Sequence, residues 1–396
     1  MRQQQRHLRK LGDGSYLRKI LSLLFLLALP LYVSARTTAE TKDLVIADTL
    51  ASSPRDSLTR KTEHKGWAKL ISALTNVDTN YVKPNHYKMQ AMAYSDMMFN
   101  IYKISGSDEN GENQQSLVFA PYNTMHIGPY MAYSIIFLGY SFNFGRKQTS
   151  AERSNMFFSI YSPIIGVDYY YQKGVNNYRL KRVSGFNSPE SRKINNLRFS
   201  GMDTYLQNLN VYYVFNHKKF SYTAAYSQSG QQLRSAGSWM LGFNYAKQKL
   251  NFNYKNLPQF LLYDDEGNDI LNESLKISSI NYRFYSINFG YSYNWVFAKN
   301  FLFNETLTPI IGYNINKGER LELDKKLFRY HSYNFDIISR TAIVWNTGLF
   351  YAGASCVAHT YSYKKTSYSI LNTLFKVNAY AGINFWKKKA YRKKKK

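Results

Sequence analysis

Between Arg283 and Phe297 every second residue is aromatic or aliphatic, and the residues between them are small or polar. Tyr285, Ile287, Phe289, Tyr291, Tyr293, Trp295 and Phe297 share one parity; Ser286, Asn288, Gly290, Ser292 and Asn294 share the other. Strand side chains alternate between faces, so this stretch predicts a strand with one apolar aromatic face and one wet face. Comparable alternation predicts strands at 86–102, 124–134, 138–146, 154–163, 166–177, 202–215, 219–229, 237–246, 249–256, 280–297, 301–316, 331–346, 347–361 and 369–386.

Short connections alternate with long polar ones at 103–123, 178–201, 257–279 and 317–330. Tight turns at one end and long loops at the other are the topology of an outer-membrane barrel. The expected fold is therefore all-β: a closed antiparallel transmembrane barrel of about fourteen strands, with twelve possible. Segment 249–256 is the weakest of the set, and it keeps the count even.

Parity assigns the faces. In 202–215 the outward set is Tyr205, Leu209, Val211, Tyr213 and Phe215, and the inward set is Thr204, Asn208, Asn210 and Tyr212. In 219–227 Phe220, Tyr222, Ala224 and Tyr226 would face lipid. In 369–386 Val377, Ala379, Ala381, Ile383 and Phe385 point out, while Lys376, Asn378, Tyr380 and Asn384 point in. The expected lipid-facing stripe is Tyr285, Phe289, Tyr291, Tyr293, Trp295 and Phe297; the expected lumen candidates are Asn208, Asn210, Asn288, Asn294, Lys376 and Asn378. Glu305 falls on the lipid face by parity, which calls for an interfacial position or a bulge.

Composition fits the same solvent. The chain has 396 residues with 36 tyrosines and 25 phenylalanines, yet its mean hydropathy is −0.43. A helical membrane protein does not average so polar; a barrel does, because only alternate residues meet lipid. Amphipathic rings also collect where hydrocarbon meets headgroups, so the tyrosines need no ligand to explain them.

The amino terminus reads as an export signal. Arg2, Arg6, Arg9, Lys10, Arg18 and Lys19 precede an apolar run from Ile20 to Tyr32, and Val33-Ser34-Ala35 places cleavage after Ala35. Residues 36–83 form a polar periplasmic lead in which Trp67, Leu70, Ile71 and Leu74 have the spacing of a short amphipathic helix. The barrel then occupies 84–386, and 387–396 is a basic periplasmic tail. The formal charge of +27 is concentrated at the ends: the first 35 residues carry five net positive charges and the last ten carry eight. An exported barrel meets little nucleic acid, so anionic headgroups or another anionic envelope component are the expected partner of the tail.

Candidate chemistry is sparse. The lone Cys356 excludes an internal disulfide and a cysteine metal cluster. None of the seven histidines has a partner at metal-ligand spacing. His331 and Ser332 point to opposite faces, and Ser355 and His359 share a face about 13 Å apart. A barrel lipid-modifying enzyme would need a histidine to meet Ser, Thr or Asp across strands at one rim. The acidic run Asp264 to Asp269 lacks the order of a calcium loop and reads as a solvated turn about Gly267. No catalytic residue, cofactor or metal is expected. The expected partners are outer-membrane lipid and lipopolysaccharide, and the barrel-assembly machinery during biogenesis.

Several blocks resemble a Bacteroidetes envelope family catalogued as domain of unknown function 4421: Asp78-Thr79-Asn80-Tyr81-Val82, His126-Ile127-Gly128-Pro129-Tyr130 with Leu138-Gly139-Tyr140-Ser141-Phe142, Asp168-Tyr169-Tyr170-Tyr171, and Leu307-Thr308-Pro309. The resemblance implies an outer-membrane barrel over residues 78–386 and carries no catalytic or binding residue. The functional expectation is a non-enzymatic barrel for passive or gated passage of small solutes or lipids. Alternatives are a non-conducting structural or surface-binding barrel, a lipid-modifying enzyme, and a secreted soluble sandwich.

Overall fold

The computed structural model describes residues 77–388 and Tyr391, apart from residues 109, 123–124, 134–135, 140–141, 145–152, 176–177, 321–327 and 365–367. The expected signal sequence, the 36–76 part of the lead with its helix, and nearly all of the tail after Lys388 lie outside the described residues. Residues 77–388 form one compact unit.

In chain order the strands are β1 (Val82–Pro84), β2 (Tyr87–Gly106), β3 (Gln115–Pro121), β4 (Met125–Tyr133), β5 (Ile136–Gly139), β6 (Phe142–Phe144), β7 (Arg153–Tyr161), β8 (Ile165–Val175), β9 (Tyr178–Ser184), β10 (Leu197–Phe199) and β11 (Met202–Val214). A single-turn helix α1 (Tyr222–Tyr226) follows, then β12 (Gly230–Gln232), β13 (Ala236–Phe252), β14 (Ile277–Ala298), β15 (Phe301–Arg320), β16 (Phe328–Asn346), β17 (Phe350–Lys364) and β18 (Tyr368–Lys387). Sixteen of these form one antiparallel sheet whose main path is β10-β9-β3-β2-β18-β17-β16-β15-β14-β13-β11-β8-β7, with β4 on the other edge of β2 and β5 and β6 both on β4.

The sheet curls on itself, as contacts between distant strands show. Asp168 of β8 and Arg340 of β16 are separated by four strands along the path, about 24 Å of wall, yet their side chains meet at 2.6 Å. Asn372 of β18 donates to Gln248 of β13 at 3.1 Å across another four. Asn100 of β2 donates to Gln172 of β8 at 2.8 Å. The fold is an antiparallel β-barrel with its polar face inside. Among the described residues its wall is formed by β2, β4, β5, β6, β7, β8, β11 and β13 to β18. The chain between β6 and β7 includes residues 145–152, outside the described residues.

Two expected wall strands are not there. Of segment 249–256, residues 249–252 are the end of β13, which runs unbroken from Ala236 to Phe252 and pairs with β11 and β14 over most of its length, and Tyr254–Asn256 is a 3-10 turn. Segment 219–229 leaves the wall and folds into the lumen. Phe220, Tyr222 and Ala224, expected to meet lipid, are buried, as are the opposite-parity Ser221, Thr223 and Ala225; Tyr226 is half-buried. The reason lies in spacing: Tyr222 and Tyr226 are four apart, an interval that suits one strand face and one helical turn equally. Ser221 settles the choice by capping α1, accepting from the Ala224 amide at 3.2 Å.

The long connections are also more ordered than their polarity implied. Segment 103–123 contains β3, and 178–201 contains β9 and β10; these extend the sheet beyond β2. They carry Leu117, Phe119, Leu180 and Phe199, which bury against Phe252, Leu261 and Leu275 in one apolar core at the long-loop end. The loop 253–276 is tied across it: Gln115 Nε2 donates to the Ile270 carbonyl at 2.8 Å and the Asn272 amide donates to Gln115 Oε1 at 2.8 Å. Within that loop, burial disfavours the Lys276 ammonium, but hydrogen bonds to Asp269 and Glu273 outweigh it and carry the pKa above the ordinary lysine value. Asp264 accepts from the amides of Glu266 and Asn268, closing the expected turn about Gly267, whose φ is +85°.

Candidate functional site

The lumen is the place where polar chemistry gathers, because β11, β13, β14 and β15 turn their polar parity inward. Asn208, Asn210, Asn288, Asn294 and Lys376 are buried inside, and Asn378 is half-buried there. Asn208 donates to Asn244 Oδ1 at 2.5 Å, Asn288 to Asn210 Oδ1 at 2.9 Å, and Asn378 to Ser355 Oγ at 3.0 Å. On the other face of β14, Tyr285, Phe289, Tyr291, Tyr293, Trp295 and Phe297 are between 39% and 54% exposed. Glu305 is also on the outer face; it accepts from Ser339 Oγ at 2.9 Å and Thr341 Oγ1 at 2.5 Å, so a hydroxyl pair on β16 satisfies the charge without a bulge at that residue.

A charged layer occupies the middle of the lumen. Asp168 accepts from Ser159 Oγ at 2.5 Å, Tyr161 at 3.1 Å and Arg340 at 2.6 Å, and the Arg340 guanidinium lies 5.4 Å from the centroid of the Tyr212 ring. The carboxylate is thus met by three donors and the cation by a carboxylate and an aromatic face, which is how a buried pair is sustained. Lys376 lies within electrostatic reach of Asp96, Asp168 and Arg340. Parity placed Lys376 in the lumen but gave no signal for the Asp168–Arg340 pair, because the partners are 172 residues apart.

His126 and Asp96 are directly opposed on β4 and β2, so a histidine and a carboxylate do meet across strands. Their closest atoms are 3.6 Å apart, too far for a hydrogen bond, and they sit partway along the wall and not at a rim. Ser355 and His359 both face inward on β17, as parity required. The side chains of His331 and Ser332 lie outside what is described. Among the described residues no group of three or more His, Cys, Asp or Glu is placed to hold a metal ion.

The short-turn end is closed by the segment that left the wall. Asn294 Nδ2 donates to the Ser221 carbonyl at 2.9 Å and to Gln232 Oε1 at 3.0 Å, and Gln232 Oε1 also accepts from the Ser221 amide at 2.8 Å. Tyr222 and Tyr226 pack with centroids 4.6 Å apart beside Tyr161. β12 pairs with β1, and Gln231 Nε2 reaches the Asn346 carbonyl at 2.5 Å. Apolar cap, charged layer and plug therefore fill the barrel at three levels. Several buried polar atoms have no protein partner, among them His359 Nε2, Gln248 Nε2, Asn372 Oδ1 and both amide atoms of Asn314.

A family model described as Domain of unknown function (DUF4421) matches residues 76–385. No curated protein matches the chain. Among solved structures it is similar to the outer membrane protease OmpT from Escherichia coli, at 10% identity and a TM-score of 0.38, covering 78% of this chain and 100% of that one. It is also similar to Ail, the attachment invasion locus protein of Yersinia pestis, at 12% identity and 0.21, covering 55% and 96%. OprG of Pseudomonas aeruginosa stands at 9% identity and 0.23, covering 76% and 98%.

Proposed function

Because the chain belongs to the family described as Domain of unknown function (DUF4421), which names no activity, we propose from its geometry that it is a non-enzymatic outer-membrane barrel, closed to solutes, that presents its ordered long-loop cap at the cell surface. The observation that carries this reading is the filled lumen: the Asp168–Arg340 pair bridges the middle, α1 blocks one end and an apolar core blocks the other. A passive pore needs a continuous wet path, and apolar clusters at both ends deny it. The exposed aromatic stripe of β14 fits a hydrocarbon surround. In this reading the long loops face outward, the short turns and plug face the periplasm, the signal is removed after Ala35, and the basic tail meets anionic headgroups. Lipid and lipopolysaccharide bathe the wall, and the assembly machinery inserts it.

Gated passage is the second reading, favoured by the buried polar atoms without protein partners, which call for water or a solute inside. Planar-bilayer recording separates the two. The pure folded chain is expected to give no unitary conductance, and steady channel events from the untreated protein overturn the closed reading. Deleting 219–229 is expected to leave conductance absent, because the charged layer and the apolar cap still fill the lumen; channel events only after that deletion would favour the gate.

A further inference from the structure

On the outer face of the wall, toward the long-loop end, four basic side chains gather. Tyr205 of β11 stands in register between Lys173 of β8 and Lys249 of β13. One step nearer the middle, Lys247 stands directly opposite Arg283 of β14. Their strand neighbours Gln172, Ala246, Gln248 and Phe284 are buried inside, so all four point outward; Lys173, Lys249 and Arg283 are exposed and Lys247 is half-buried. The Lys247 ammonium lies 5.7 Å from the centroid of the Tyr205 ring, which holds it at the centre of the group.

Among the described residues none of the four has a hydrogen bond or an ion pair. Asp203 stands in the next row toward the loops and pairs with none of them. The register carries the basic row on through the positions of Lys317 and Arg329, while Glu319 falls one row beyond. Like charges directly opposite each other, as Lys247 and Arg283 are, destabilise a sheet until a group of opposite sign comes between them.

The depth of the patch identifies that group. Lys247 and Lys249 follow Phe243, the register partner of Ile287 at the middle of β14, by four and six residues. That is ~13 and ~20 Å along the strand, or roughly 10 and 15 Å of depth at the tilt of a barrel strand. The apolar band of such a barrel ends about 12 Å from its midplane. Tyr245 and Tyr285, with ring centroids 5.1 Å apart, stand at that boundary, and the cations begin just past it, at the level of lipid phosphates. Lys173 and Lys249 are two strands apart, about 10 Å, and Lys247 is about 7 Å along from Lys249, so the patch is broader than one phosphate.

We propose that this patch is a docking surface for lipopolysaccharide, with Lys247 and Arg283 gripping one phosphate of its lipid anchor and Lys173 and Lys249 a second. It rests on the reading that the long loops face the cell exterior, because only then does the patch meet the leaflet that carries lipopolysaccharide. Whether the lumen conducts has no bearing on it.

The full chain in an uncharged maltoside micelle, titrated with bisphosphorylated lipid A and read by native mass spectrometry, tests the site. A saturable one-to-one adduct is expected. Lys247→Gln with Arg283→Gln should weaken it about tenfold or more, the scale of losing charge-assisted bonds to one phosphate. Lys103→Gln, at an exposed position on β2, should leave it unchanged. If the double variant loses its heat-modifiable gel mobility, Lys249→Gln carries the test, with an expected drop of about threefold or more. Undiminished binding by these variants, or equal binding of dephosphorylated lipid A or of dipalmitoyl phosphatidylglycerol, overturns the site. Orientation is read separately: Asp265→Cys in a Cys356→Ser background is expected to react with a membrane-impermeant maleimide on intact cells. Lipid A binding without labelling overturns the outward-loop reading and this partner with it; labelling without lipid A binding overturns the patch alone.

Discussion

Tyr226, the last residue of the plug helix, donates its hydroxyl to Asn304 Oδ1 on β15 at 2.7 Å. Asn304 is fully buried and spends its own amide on Ser292 Oγ at 3.0 Å and Asn294 Oδ1 at 2.7 Å, and Asn294 in turn holds the Ser221 carbonyl at the start of α1. Asn304 and Asn294, hydrogen-bonded to each other, thus tie the two ends of the helix to the wall.

Asn304→Leu should therefore loosen the plug selectively. It strands the Tyr226 hydroxyl and removes a donor from Asn294, and each stranded buried group costs roughly 1–3 kcal/mol. Tyr226→Phe removes one side of one bond and should cost about 1 kcal/mol. Amide hydrogen exchange is the measurement: protection over 220–232 is expected to fall in Asn304→Leu while β14 and β15 keep theirs. Uniform loss along the wall would show that the asparagine supports the barrel and not the plug.

The Asp168–Arg340 pair makes a different forecast. Arg340→Ala leaves a carboxylate inside with only hydroxyl donors, and removing one member of a buried pair typically costs about 3–5 kcal/mol. Replacing both, as Asp168→Leu with Arg340→Met, removes the stranded charge and should recover most of that loss. Urea unfolding from lipid vesicles measures both, and a double variant as unstable as Arg340→Ala would mean that the pair is worth more than its desolvation.

The barrel class was legible because period-two alternation is a local signal, strongest in β14, where parity alone placed Asn288 and Asn294 inside and Phe289 and Trp295 outside. What was not legible is whatever depends on a third dimension. The even spacing of Tyr222 and Tyr226 satisfied strand and helix alike, and nothing nearby told that Asn294 and Gln232 would receive the turn. The cap was hidden for a related reason: Leu117, Phe119 and Leu180 sit in segments whose average is polar, and their burial depends on Leu261 and Leu275 from a loop far along the chain. The Asp168–Arg340 contact joins strands with no sequence proximity, so only curvature of the sheet could reveal it.

Glycines set close inter-strand packing inside the wall. Gly166 is opposite Tyr212, and a Cβ there would lie 2.1 Å from the ring. Gly353 and Gly382 stand likewise opposite Tyr380 and Tyr351, with backbone of the neighbouring strands at 2.7 and 2.6 Å from a built Cβ. Rings lying over cross-strand glycines fill the space that a small residue leaves. Gly166→Ala must push the Tyr212 ring from beneath Arg340, so an overpacking cost of about 1–3 kcal/mol is expected. The temperature at which the folded gel band is lost should drop accordingly. The same change at Gly267, where a Cβ would meet nothing but φ is +85°, should cost no more than local turn strain.

The outer face offers the most direct check that lipid is its solvent. Ile287 lies at the middle of β14 and is 62% exposed, whereas Trp295 lies toward the short-turn end, at 54%. If both simply faced water, arginine at either site would cost little, because surface substitutions rarely exceed about 0.5 kcal/mol. In hydrocarbon the cost depends on depth: about 2–4 kcal/mol at the midplane and about 0–1 near an interface. Ile287→Arg is therefore expected to be the more destabilising of the two in vesicle folding, by roughly 2 kcal/mol. Loss of the Trp295 ring contact with Phe297, centroids 5.5 Å apart, narrows that gap without closing it, since such a pair is worth about 0.5–1.5 kcal/mol. Equal and small penalties at the two positions would mean that hydrocarbon does not reach this face.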